Sequence, residues 1–164
     1  MMRLVAISMA GLLAGCASTG GEMAECAAPA QQWIEAREGA SARDVAGAGQ
    51  ARLAVGEAVR LALHPDGEVV YLTLPQGEGE AASFGGLASF EITRAGVYAV
   101  GVDRPSWIDA VRDGAAVDTV RHGRAPACSG IRKEVAFRLE PGAYTLELSG
   151  SEAADIGVLI RPDS

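Results

Sequence analysis

Positive charge is scarce in this sequence: 14 Lys and Arg stand against 21 Asp and Glu, a formal net charge of −7 over 164 residues. Such a chain repels phosphate backbones, so nucleic acid is excluded as a partner. Aromatics are few at 5%, so a core must be built from Val, Leu, Ile and Ala. A hydrophobic share of 49% in a chain of this length nevertheless suffices for one domain with a real interior. Long apolar runs are missing, and the longest N-terminal one, "LVAISMAGLL" from Leu4 to Leu13, falls well short of the about 20 residues of a spanning helix. The sequence also has no G-x-S-x-G elbow, H-E-x-x-H, Walker loop, or G-x-G-x-x-G opening a helix. Only two histidines, His64 and His122, are available for acid–base or metal chemistry.

The N-terminus reads as an export signal, with Arg3 ahead of the short apolar run and "LAGC" (Leu13 to Cys16) behind it. "LAGC" looks like a bacterial lipobox, in which Cys16 takes a diacylglycerol and residues 1–15 are cut away; an ordinary secretory signal cut near Ala17 is the alternative. Ala17 is not the aspartate that holds lipoproteins at an inner membrane, so the resemblance implies the inner leaflet of the outer membrane, facing the periplasm. "ASTGGEMAE" (Ala17 to Glu25) is small and polar, so residues 16–25 read as a tether and 26–164 as a single domain. Of three cysteines one is lipidated, and the remaining pair, Cys26 and Cys128, is expected as a disulfide in an oxidising compartment. Closing a loop of about 100 residues stabilises a fold by roughly 4–5 kcal/mol in the chain-entropy model.

Residues 31–45, "QQWIEAREGASARDV", hold one irregular helical turn. After about Gly49 the hydrophobic period becomes two. Val59, Leu61 and Leu63 alternate, as do Val70, Leu72 and Leu74 in "EVVYLTL", then Phe90 and Ile92. "VYAVGVD", "SWIDAVRD", "AVDTVRH", "EVAFRLE", "AYTLELS" and "DIGVLIR" follow. Nine strand candidates without intervening helices predict an all-β, antiparallel β-sandwich or jelly-roll-like fold of about 8–9 strands. Asp113-Gly114, Pro141-Gly142 and Gly96 are expected to turn hairpins, and the "AGVYAV" and "PGAYTL" tyrosines to be core.

The stretch "HGRAPACSGIRKEVAF" (His122 to Phe137) gathers most of the remaining chemistry. No acid interrupts Thr119 to Lys133, so Arg121, His122, Arg124, Arg132 and Lys133 form a candidate anion-binding set on a loop stapled at Cys128, with a solvated strand face as the plainer reading. Trp107 and Asp109 fall on one face of a strand and are a candidate ligand contact. A buried Trp107 with Asp109 paired to an arginine is the expectation preferred over an exposed ring beside a carboxylate. His122 is expected to end a strand and bond a backbone carbonyl or Asp118.

From Cys26 to about Arg161 the chain resembles a family of small exported, uncharacterised proteins of sphingomonad-like bacteria, through "SFGGLASF", "AGVYAVGVDRPSWIDAVRDG" and "HGRAPACSGIRKEVAFRLEPGAYTLELSG". Some members carry the label homogentisate 1,2-dioxygenase. That label implies iron held by two histidines and a carboxylate, which would take both His64 and His122 and leave no histidine for proton transfer. Relatives have "HGHGP" where this chain has "HGRAP", so Arg124 replaces a histidine. Neither a metal nor a cofactor is expected. The function expected is a lipid-anchored periplasmic protein that binds or scaffolds an anionic envelope component or a protein partner, with a small metal-dependent enzyme as the alternative.

Overall fold

The computed structural model describes residues 31–73, 83–123, 125 and 127–163. Its strands are β1 (Arg37–Ala40), β2 (Arg52–Leu53), β3 (Ala58–Ala62), β4 (His64–Pro65), β5 (Phe84–Ile92) and β6 (Gly96–Val102), then β7 (Trp107–Arg112), β8 (Ala115–Ala116), β9 (Thr119–Gly123), β10 (Lys133–Leu139), β11 (Gly142–Ser151) and β12 (Asp155–Pro162). Among the described residues helices are confined to single turns, α1 (Gln31–Ile34), α2 (Val45–Ala48) and two 3-10 turns at Asp66–Glu68 and Ala127–Ser129. One sheet runs β1-β3-β12-β6-β10-β9, the other β2-β5-β11-β7-β8 with β4 also on β5.

Period two decides what lies between the sheets. Val59 and Leu61; Tyr98, Val100 and Val102; Val135, Phe137 and Leu139; and Ile156, Val158 and Ile160 come from the first sheet. Phe90 and Ile92, Ile108 and Ala110, and Tyr144, Leu146 and Leu148 come from the second, and all join one buried cluster. Each fully buried Leu, Ile or Phe contributes about 1.5–3 kcal/mol relative to exposure. The all-β sandwich expected from the sequence is what the chain forms.

Three expectations are corrected. First, the sheets are mixed, because the short edge strands β1 and β2, which sequence did not reveal, pair in parallel with β3 and β5. Twelve strands are present among the described residues instead of nine, and "AVDTVRH" splits into β8 and β9.

Second, "EVVYLTL" is not a strand. Val69 and Tyr71 pack on the core while Val70 is 69% exposed, and Leu74 lies outside the described residues. Side-chain carboxylates replace the ladder here. Asp66 accepts from the Tyr71 hydroxyl (2.5 Å) and the Gly150 N–H (3.0 Å), and Glu147 accepts from the backbone of Leu72 and Thr73.

Third, only Asp113-Gly114 closes a hairpin within a sheet. Its φ values of 52° and 78° suit a tight primed turn between β7 and β8. Gly96 and Gly142 instead begin strands that enter the opposite sheet, so β5–β6 and β10–β11 are arches. Gly142 has φ 143°, a conformation open to glycine, while Gly96 needs no positive φ. The sequence context of both arches supplies a latch. The Tyr98 hydroxyl donates to the Arg94 carbonyl (2.8 Å) and the Tyr144 hydroxyl to the Glu140 carbonyl (2.9 Å), each four residues back, in the manner of a tyrosine corner. Both rings are buried, as core tyrosines should be.

Candidate functional site

The sandwich is least closed along one side. There β9 is the outermost strand of its sheet, and in the other sheet β8 covers only Val111 and Arg112 of β7, so Trp107, Ile108 and Asp109 have no strand on their free side among the described residues. A groove of about 730 Å³ opens at this side, lined by Pro105, His122, Ile131, Arg132 and Lys133 among others.

Lys133 reaches it from inside. As the first residue of β10 it stands on the inward row of Val135 and Phe137, but beyond the point where the two sheets meet, so its stem lies against apolar surface and its head emerges at the rim. The ammonium donates to the Ser106 carbonyl (2.7 Å) and sits 4.5 Å from the Trp107 ring centroid. Burial pulls the Lys133 pKa below its ordinary value, and the charge of Asp109 partly opposes that. Asp109 is shifted upward, first by burial and then by the Glu147 carboxylate beside it in the β7–β11 register. Lys133 and His122 pull it back.

Trp107 is 44% exposed, and Asp109 faces Lys133 and His122 with no arginine partner among the described residues, so the expected buried ring with an Asp109–arginine pair is corrected. Among the described residues no strand beyond β7 covers the ring. His122 shares the face of its β10 neighbour Val135 and contacts Thr119 Oγ1 through Nε2 (3.0 Å), rather than a carbonyl or Asp118. The exposed Arg132 is fixed by its N–H, which donates to the Val102 carbonyl (2.7 Å).

Arg121 is on the other face of β9 and is neutralised there. Its Nη2 meets Asp163 at 2.8 Å and the buried Glu134 at 3.2 Å, and Glu134 also takes Arg161 at 2.6 Å. Thus His122, Arg132 and Lys133 come together with Trp107 and Asp109, and Arg121 does not. Arg124, Cys16 and Cys26 lie outside the described residues. Cys128, in the 3-10 turn Ala127–Ser129, lies in the chain between the groove residues Ala125 and Ile131 and is not free.

Two residues that support the site escaped the sequence reading. Trp33 donates from Nε1 to the Ser129 carbonyl (2.8 Å) and covers Gly130 and Gly157, bracing the loop that carries Cys128. The signal was Gly157 inside "DIGVLIR", since glycine within a strand marks close approach of another group. Ser106 supplies the carbonyl that orients Lys133, and nothing in the sequence marks it.

His64 is elsewhere. It follows β3 directly, with Nε2 3.0 Å from the Ser41 carbonyl, and β3 is four strand steps from β9, on the order of 19 Å at the usual spacing. The two histidines are therefore not brought together. Among the described residues no group of three or more His, Cys, Asp or Glu is arranged to hold a metal ion. What lines the groove chemically is the guanidinium of Arg132, the amine of Lys133, the imidazole of His122 and the arginine-bound carboxylate of Glu134, with Asp109 acting on Lys133 and His122 through its charge. No family model matches the chain, and no curated protein matches it.

Proposed function

We propose that the protein is a lipid-anchored binding protein of the cell envelope. Residues 1–15 are its leader, Cys16 carries the lipid, residues 16–25 are the tether, and Cys26 pairs with Cys128. In this reading the sandwich sits in the periplasm at the inner leaflet of the outer membrane and uses the groove beside β9 to hold an anionic envelope component. The observation that carries the reading is the convergence of His122, Arg132 and Lys133 on one open groove in a chain of net charge −7. Support for the disulfide comes from Cys128, which is disulfide-bonded. Because that cysteine lies on the loop between Ala125 and Ile131, which both line the groove, a bond to Cys26 roots the tether on that loop.

The test has two arms. Cys16→Ser is expected to abolish lipid labelling and move the protein from membranes to the soluble periplasmic fraction, and a variant that stays with membranes removes the anchor from the proposal. In the second arm Arg132→Glu is expected to change stability by less than about 0.5 kcal/mol, as surface charges do, yet to abolish retention on anionic headgroup or glycan surfaces at low salt. Retention unaffected by the reversal overturns the groove as the binding surface.

A further inference from the structure

Lys133 is the only lysine in the chain; every other basic side chain among the 14 is arginine. Among the described residues that single lysine is also the cation whose head lies over Trp107 and against a main-chain carbonyl at the groove. A role limited to stacking on an aromatic face and donating to a carbonyl would suit arginine equally well or better. What lysine has and arginine lacks is a proton it can lose, exposing a nitrogen lone pair. The Ser106 carbonyl takes one N–H of the amine and so orients the remaining positions of the nitrogen toward the groove.

We infer that the groove is a carbonyl-capture site, in which the Lys133 amine binds a small oxo acid as a reversible imine while the Arg132 guanidinium holds the carboxylate. The inference rests on the groove being the binding surface, as proposed above, and adds the class of ligand and the bond. The neutral amine adds to the carbonyl carbon, forming a C–N bond and opening the C=O π bond to give a carbinolamine. The nitrogen then loses its two protons, the C–O bond breaks, and oxygen leaves as water with both protons, so no oxidant or reductant is consumed.

The groups around the amine suit that proton traffic. Asp109, which interacts with both Lys133 and His122, is placed to exchange protons with the nitrogen and the departing oxygen. Glu147 stands behind Asp109, and Glu134 at the rim is engaged by Arg121 and Arg161. Burial of Lys133 raises the neutral fraction at neutral pH, and Trp107 shields one side of the imine from water.

The test uses the whole oxidised protein with glyoxylate and, separately, propionaldehyde, each with cyanoborohydride to fix the imine, followed by peptide mapping. One adduct per chain is expected on the peptide containing Lys133, formed at least tenfold faster at pH 7 than on free Nα-acetyl-lysine in the same tube. Its rate is expected to rise with pH to an inflection below the about 10.4 of an ordinary lysine. Lys133→Arg is expected to abolish the adduct, and urea-denatured wild type to react no faster than the free amino acid, which controls for a variant that fails to fold. Arg132→Gln is expected to slow glyoxylate capture at least fivefold and leave propionaldehyde unchanged. Native Lys133 reacting no faster than the free amino acid, or titrating as an ordinary lysine, overturns the inference. Capture of propionaldehyde that persists in a protein showing no retention on anionic surfaces sinks the anionic-ligand reading and leaves the amine chemistry standing.

Discussion

Glu147→Ala should detach the segment that crosses the outer face of β11. Glu147 is 3% exposed and accepts from Leu72 N at 2.5 Å, Thr73 Oγ1 at 2.6 Å and Thr73 N at 3.3 Å. The first two are short bonds to a charged acceptor, for which about 1.5–3 kcal/mol each is typical, and the third is too long to add much. Two effects work against the full 3–6 kcal/mol. Leu72 is 37% exposed, so its freed N–H can find water, and removing the carboxylate relieves the like charge that helps push Asp109 upward. A net loss of about 2–3 kcal/mol remains, because each donor keeps part of its desolvation cost. With a urea m-value of about 2 kcal/mol per molar, the midpoint should fall by roughly 1 M at unchanged slope. Amide exchange at Leu72 and Thr73 should accelerate well beyond that of the β11 core, as local opening precedes global unfolding. A midpoint within about 0.25 M of wild type, or unchanged protection of both amides, would refute the account of how this segment is held.

Asp109→Asn should stabilise at neutral pH. A carboxyl whose folded pKa is raised contributes stability that is complete below the unfolded pKa of about 3.9 and is lost as pH rises through the folded value, and the amide avoids that loss. The variant should therefore melt higher than wild type at pH 7 and converge with it near pH 4; a pH-independent difference, or a lower melting point at pH 7, contradicts the burial of Asp109. The same change removes a charge that raises the Lys133 pKa, so the inflection for amine labelling should move further down. Gly85→Ala would drive a methyl into the Tyr71 hydroxyl, the Asp66 carboxylate and the Leu148 carbonyl, the last of which is fixed in β11, and should cost at least about 2 kcal/mol by thermal or urea unfolding. Gly67→Ala, which meets nothing within 4 Å, is its control and should stay within about 0.5 kcal/mol.

Sequence carried the sandwich wherever a strand has one face inward, because alternation then records burial directly: Val59 and Leu61, Phe90 and Ile92, and Tyr144, Leu146 and Leu148 all point where their spacing said. It failed where local pattern and tertiary partner disagree. "EVVYLTL" alternates well enough to be a strand, but the remote Glu147 binds its backbone at Leu72 and Thr73, Asp66 holds the Tyr71 hydroxyl, and the side chains that pack are Val69 and Tyr71. Pro141-Gly142 signals a turn, and a turn signal does not say whether the next strand pairs with the last or crosses to the other sheet. β1 and β2, of four and two residues, are too short for any period to register. At the site, the acid-free window around Cys128 contains His122, Arg132 and Lys133 of the groove lining, but Arg121 turns away to Glu134 and Asp163, which stand 13 and 42 residues from it. Among the described residues no strand covers Trp107 beyond β7, and no residue near it in sequence signals that exposure.

Placing this chemistry at an open sheet edge has a physical cost, because unpaired strand N–H and C=O groups invite another strand to add. β9 is defended against that. Its register with β10 slips between Ala136 and Phe137, where Arg121 and Thr119 become the successive partners and Val120 is left over, and a bulge of this kind twists an edge away from flat pairing. Arg121, committed to Glu134 and Asp163 on the outer face, adds a fixed charge that an incoming apolar strand would have to desolvate. With strand addition disfavoured, what the edge still offers is the open gap lined by His122, Arg132 and Lys133. A gap of that kind suits a small polar ligand held by a few convergent groups better than an extended peptide. The Trp33 brace under Gly130 keeps the loop that supplies Arg132 from collapsing into it.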